Sequence, residues 1–196
     1  MFFGPFWTWS CAILLTSSLT CAVSVAVAAS SEPVNVVVTI PVLKDLAEQV
    51  GGPYIRVTSL LKGYENEHTY SPKPSDLIAV RKARLLFEVG LGLEVWVATL
   101  VKNAGSASLM TITTSKGIGV IRDDQEPVAA HHSLGHEQGN PHVWMDPENA
   151  ATMLRHITDA LIEVDPDHAH QFRQNQAAYL VRLDRIRAEL SERVRR

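Results

Sequence analysis

The sequence predicts an α/β fold, one lobe with a parallel sheet flanked by helices and followed by a long backbone helix, on three observations. Strand-like and helix-like segments alternate at short spacing over residues 34–113, the order expected of βαβ units. Residues 34–40 read VNVVVTI, the nearly continuous β-branched run that a strand covered on both faces requires. From Asp146 onward the pattern is helical alone, and it carries apolar side chains at helical spacing to the last turn.

Each element has its own local signal. Pro41 opens a helical pattern with Leu43, Leu46, Ala47 and Val50 on one face, stopped by Gly51-Gly52. Residues 54–61 form the next strand. A polar loop follows, and Pro74 begins a short helix that runs to about residue 83. Residues 85–89 predict a third strand and residues 93–103 a third helix ended by Gly105. Residues 109–113 and 117–121 read as short extended pieces. Asp146-Pro147 and Asp165-Pro166 each place an N-cap acid before a proline at the first helical position. The first of these two helices carries Ala150, Met153, Leu154, Ile157 and Leu161 on one face. The second carries Phe172, Tyr179, Leu183, Ile186 and Leu190, and is expected to run about thirty residues, roughly 45 Å at the helical rise.

Composition narrows the function. The chain has 196 residues, 46% hydrophobic and 20% charged, with a formal net charge of -3. Six of its 18 Lys and Arg fall after position 181, so no broad basic surface invites nucleic acid, and that cluster reads as a solvated helix end. The first 31 residues contain no Asp, Glu, Lys or Arg, and they approach Ala26-Val27-Ala28-Ala29, the small-residue pattern cut by signal peptidase. Residues 1–29 are therefore expected to be an export signal, which places the rest in the periplasm or another extracytoplasmic space. An uncleaved membrane anchor and lipidation at Cys21 are the alternatives. Both cysteines, Cys11 and Cys21, lie in that leader. Any metal chemistry of the mature chain must then use His and carboxylates. The remaining organisation is expected as an α/β lobe over residues 30–145 and a helical segment over residues 146–196.

Two polar segments carry the chemistry. The first, residues 63–76, holds Glu67, His68 and three flanking landmarks, Pro72, Pro74 and Asp76, in the loop after the second strand, where ligand sites of open α/β sheets gather. The second, residues 139–149, holds His142 between Pro141 and Pro147. In both, prolines stiffen the backbone beside an imidazole, so the ring can be held ready for a metal ion. Imidazole suits zinc and other first-row divalent ions, and a complete zinc site takes about four ligands. Glu67 reads as an accessory group that orients an imidazole or as an exposed acid ahead of a ligand, Asp76 and Asp146 as helix-start residues, Trp96 and Trp144 as core aromatics, and Glu94 as a solvated or dipole-satisfying residue inside a helix.

Taken together, Glu67-His68-Thr69-Tyr70 with Pro72, Pro74-Ser75-Asp76, Gly90-Leu91-Gly92-Leu93-Glu94 with Trp96, and Asn140-Pro141-His142-Val143-Trp144-Met145-Asp146-Pro147-Glu148-Asn149 resemble the solute-binding proteins of zinc and manganese ABC importers. The likeness covers about residues 34–196. It implies two α/β lobes joined by a long rigid helix, with metal held in the cleft and passed to a membrane permease. By that resemblance His68 and His142 are the ligands of the N-terminal lobe, and the second lobe adds a His or Glu and an Asp. This chain stops where the joining helix would deliver it to that lobe, so the expectation is one lobe and its linking helix, the second lobe being absent. His131, His132 and His136, with Glu137 beside them, occupy the place where zinc-type relatives carry a metal-collecting loop, which favours Zn2+ over Mn2+.

Two other readings stand beside metal capture. A chain lacking the second lobe could be a remnant or one half of a split receptor, self-associating or pairing with a separate C-terminal half through its exposed apolar helix face. A zinc hydrolase with an open coordination position is the enzymatic alternative. The sequence has no His-Glu-x-x-His helix, Gly-x-Ser-x-Gly elbow or phosphate-cradling glycine loop, so no enzyme is expected.

Overall fold

The architecture comes from a computed structural model that describes residue 1, residues 32–121 and residues 139–195. The predicted leader after its first residue, and the three-histidine loop of His131, His132 and His136, lie outside the described residues.

Strand β1 (Val34–Val38) is followed by helix α1 (Pro41–Gly51), and strand β2 (Ile55–Ser59) by helix α2 (Pro74–Lys82). Strand β3 (Leu85–Glu88), helix α3 (Val97–Ala104) and strand β4 (Met110–Thr113) complete the alternation. All pairings are parallel, in the order β2-β1-β3-β4. Val36 lies opposite Val57 on one side and Leu85 on the other, which puts β1 inside the sheet. Val36, Val37 and Val38 are all buried, and because successive residues point to opposite faces, both faces of the sheet are covered. That explains the unbroken β-branched run.

Helix α4 (Pro147–Val164) packs on α1 and against β4, while α2 and α3 pack on each other, with α2 also touching β1. The long helix α5 (Ala169–Val194) lies on α1 and α4. Asp146 caps α4 as its sequence suggested, its Oδ1 accepting the Glu148 N–H at 2.7 Å. Among the described residues no helix is long and apolar enough to cross a membrane.

Three local expectations change. The third helix starts at Val97 rather than 93, because Gly90, Leu91 and Gly92 all take positive φ and fold residues 91–96 into turns. Gly90 has φ +87°, and a Cβ there would lie 2.3 Å from Thr113 Cγ2, so any other residue would strain the backbone and displace that side chain. Residues 117–121 form no strand; a turn ends at Gly117 and the segment has no sheet neighbour. The second C-terminal helix begins with a separate 3-10 turn (Pro166–His168), because the Asp165 carboxylate bonds His168 Nδ1 at 2.7 Å instead of capping backbone N–H groups. The 26 residues of α5 then span about 39 Å.

Candidate metal centre

The segments that carry the two predicted histidines meet. One is the loop after β2, residues 60–73; the other is the stretch from Gly139 into the 3-10 turn (Val143–Met145) that precedes α4. Each is shaped by an asparagine two residues before its histidine. Asn66 Oδ1 accepts the backbone N–H groups of His68 at 2.9 Å and Thr69 at 3.2 Å. Asn140 Oδ1 accepts the backbone N–H of His142 at 3.0 Å. Such side-chain turns hold a loop without a neighbouring strand.

The β2 loop is also pinned from outside. Tyr70 is buried and its hydroxyl donates to Asp76 Oδ2 at 2.7 Å, while the same oxygen accepts the Lys73 N–H at 2.7 Å. This ties the loop to the first turn of α2, the helix-start role read for Asp76. Burial, together with the adjacent Asp76 carboxylate, pushes the Tyr70 phenol far above its ordinary value and keeps it a donor. Trp96 is buried, as its aromatic character suggested, and it also has a specific task. Its Nε1–H donates to the Glu67 carbonyl at 2.9 Å, and its ring meets Tyr70 edge-on at 5.0 Å. Trp144 is half-buried and packs against the core, in line with the core reading, and its ring also meets His142 edge-on at 5.2 Å between centroids.

Glu94 is a correction. It is not a solvated helical residue; it lies in the turns before α3, 5% exposed. Its Oε1 accepts from Thr39 Oγ1 at 2.6 Å and Val89 N at 2.9 Å, and its Oε2 from Gly90 N at 3.0 Å. The carboxylate thus ties the segment after β1 to the turn after β3, from which Trp96 reaches the site. Burial raises its pKa above the ordinary carboxylate value despite those three donors.

At the centre, the rings of His68 and His142 lie 5.6 Å apart and nearly edge to face. Glu67 Oε1 is 3.2 Å from His142 Nε2. Glu67, His68 and His142 can each direct one ligand atom into a space where all three atoms lie within 4.8 Å of one another, the one such group among the described residues. The structure thus brings both predicted histidines together and adds the carboxylate of Glu67. All three are partly exposed, so an ion can reach them. His142 is informative. Its Nδ1 lies 2.9 Å from Asn140 Oδ1 and its Nε2 faces the Glu67 carboxylate, so both ring nitrogens face acceptors. With Nδ1 donating to Asn140, Nε2 would present a lone pair beside the Glu67 carboxylate, and these two donor atoms could hold a cation. Two imidazoles and a carboxylate suit a first-row divalent ion and leave room for at least one further ligand. Beside His142 a groove of about 910 Å³ opens between Asn140, Met145 and Asp146 on one side and Leu190 and Val194 of α5 on the other.

The family model described as ZnuA, zinc-uptake complex component A, periplasmic, matches residues 36–196. The iron-binding protein YfeA of Yersinia pestis is 30% identical over 83% of this chain and 49% of its own length. The manganese ABC transporter substrate-binding lipoprotein PsaA of Streptococcus pneumoniae is 29% identical over 91% of this chain and 57% of its own. A crystal structure of ZnuA superposes with a TM-score of 0.72 at 30% identity, covering 82% of this chain and 58% of that one. The chain spans about half the length of the curated relatives it matches.

Proposed function

The chain belongs to the periplasmic zinc-uptake component A family, and from that premise we propose that it captures a divalent transition metal outside the cytoplasm for delivery to the permease of an ABC importer. Family membership supports a binding role rather than an enzymatic one, and capture makes no catalytic demand. The observation that carries the proposal is the convergence of Glu67, His68 and His142 from two loops, Glu67 and His142 being 75 residues apart in sequence. In this reading His68 and His142 are ligands, and Glu67 either completes the set or orients His142.

Zinc is the preferred cargo and manganese the alternative. Two imidazoles are a stronger argument for zinc than for manganese, which favours oxygen donors. The relatives do not decide it, since one is named for iron and another for manganese. The second reading, one half of a receptor that self-associates or pairs with a separate partner, is favoured by Ile186, Leu190 and Val194, which α5 leaves exposed.

Isothermal titration of the chain with zinc and with manganese tests the proposal. Zinc is expected to bind more tightly, and His68→Ala and His142→Ala each to weaken it by at least about tenfold, the smaller end of what even an outer partner of a metal ligand contributes. Unchanged zinc binding in both variants would sink the assignment.

A further inference from the structure

The geometry points to Asn140 as a positioning residue that selects which nitrogen of His142 binds the metal, an inference that rests on the metal-capture reading. Asn140 Oδ1 makes two bonds to the same histidine, one from its backbone N–H at 3.0 Å and one with ring Nδ1 at 2.9 Å. The first identifies the second. A backbone N–H is always a donor, so the amide presents its carbonyl oxygen here and not its NH2 group. That oxygen can only accept, so a favourable contact with Nδ1 requires Nδ1 to carry a proton. When an ion is bound, the lone pair is left on Nε2, the nitrogen 3.2 Å from Glu67 Oε1 on the side of the three-residue group.

The alternative arrangement is penalised at both ends. Ligation through Nδ1 would turn that nitrogen away from Asn140, leave Oδ1 with the backbone N–H alone, and direct Nε2–H away from the Glu67 carboxylate. Asn66 forms the corresponding backbone bond with His68, so the Asn-x-His spacing recurs in both loops. In the second loop the same oxygen is also bonded to the ring. Asn140 is exposed and bonds no core group, so its loss should change the ring's setting rather than the fold.

The test uses the full chain loaded with zinc, with the nitrogen resonances of His142 assigned by their loss in His142→Ala. Zinc is expected to bind through Nε2, with a protonated Nδ1 visible in the long-range nitrogen–proton spectrum. Asn140→Ala is expected to lose that single pattern and weaken zinc binding by about 10- to 100-fold. Asn140→Asp, which keeps the acceptor oxygen, should restore both. If the wild-type chain ligates through Nε2 and Asn140→Ala leaves the pattern and the affinity unchanged, the selection by Asn140 is wrong while metal capture stands. If zinc shifts no His142 resonance even in the wild-type chain, metal capture at this site fails and the role of Asn140 fails with it.

Discussion

Glu94 shows how a single side chain supports the site without touching it. Its carboxylate is almost fully buried, yet three donors converge on it, two of them backbone N–H groups at the turn after β3. Burial outweighs these bonds and raises its pKa from the ordinary value near 4.5. The sign of the pH effect follows. Below the ordinary value both folded and unfolded chains hold the proton. Above it the unfolded chain releases the proton while the folded chain keeps it, so stability falls as pH rises until the folded-state value is passed. Glu94→Gln cannot ionise. Urea midpoints measured from about pH 4 to about pH 6 should therefore show the wild-type chain losing stability relative to this variant, and parallel curves would refute a raised Glu94. At this scale the two histidines were legible, because a polar, proline-braced loop beside an apolar strand is a local signal. Glu94 was not legible: its neighbours in sequence look like a helix surface, and the hydroxyl that bonds it, that of Thr39, lies 55 residues away.

At the scale of elements, α5 is held by its first half. Phe172 is fully buried, meeting Tyr54 edge-on at 6.1 Å, and Tyr54 in turn stacks on His168 at 3.9 Å. Asn175 Nδ2 donates to the Val50 carbonyl at 2.8 Å, and the Tyr179 hydroxyl to Asp45 Oδ2 at 3.0 Å. All of these contacts bind α5 to α1 or its C-terminal turn, so α5 is part of the lobe's packing and not a free arm. Phe172→Ala should cost about 3–5 kcal/mol, the usual loss for a large aromatic removed from a core. Chemical denaturation checks it; a loss under about 1 kcal/mol would mean that α5 docks by its polar contacts alone. The sequence periodicity marked Phe172, Tyr179 and Leu183 as facing a partner, and here it succeeded. The helix expected from residue 93 failed over residues 93–96, where three consecutive positive-φ residues just before them turn the chain.

For the whole molecule, the question is where the packed unit stops. Leu183 is buried, but Ile186 and Leu190 are 46% and 45% exposed and Val194 is exposed further. The last turns of α5 therefore contribute little to the stability of this lobe. Ile186→Glu and Leu190→Glu should each change its unfolding free energy by less than about 0.5 kcal/mol, as surface substitutions do. A loss above about 2 kcal/mol in denaturant unfolding would show that this face is covered within the lobe itself. By itself, the sequence determined the order of strands and helices, the parallel sheet, the start of α4 and the two histidine loops, because periodicity, proline placement and capping act between near neighbours. Only the tertiary structure decided that Glu67 stands against His142, that Asn140 bonds the ring as well as the backbone, that Glu94 is buried, and which half of α5 is covered. Those outcomes depend on groups far apart along the chain, and packing alone brings them together.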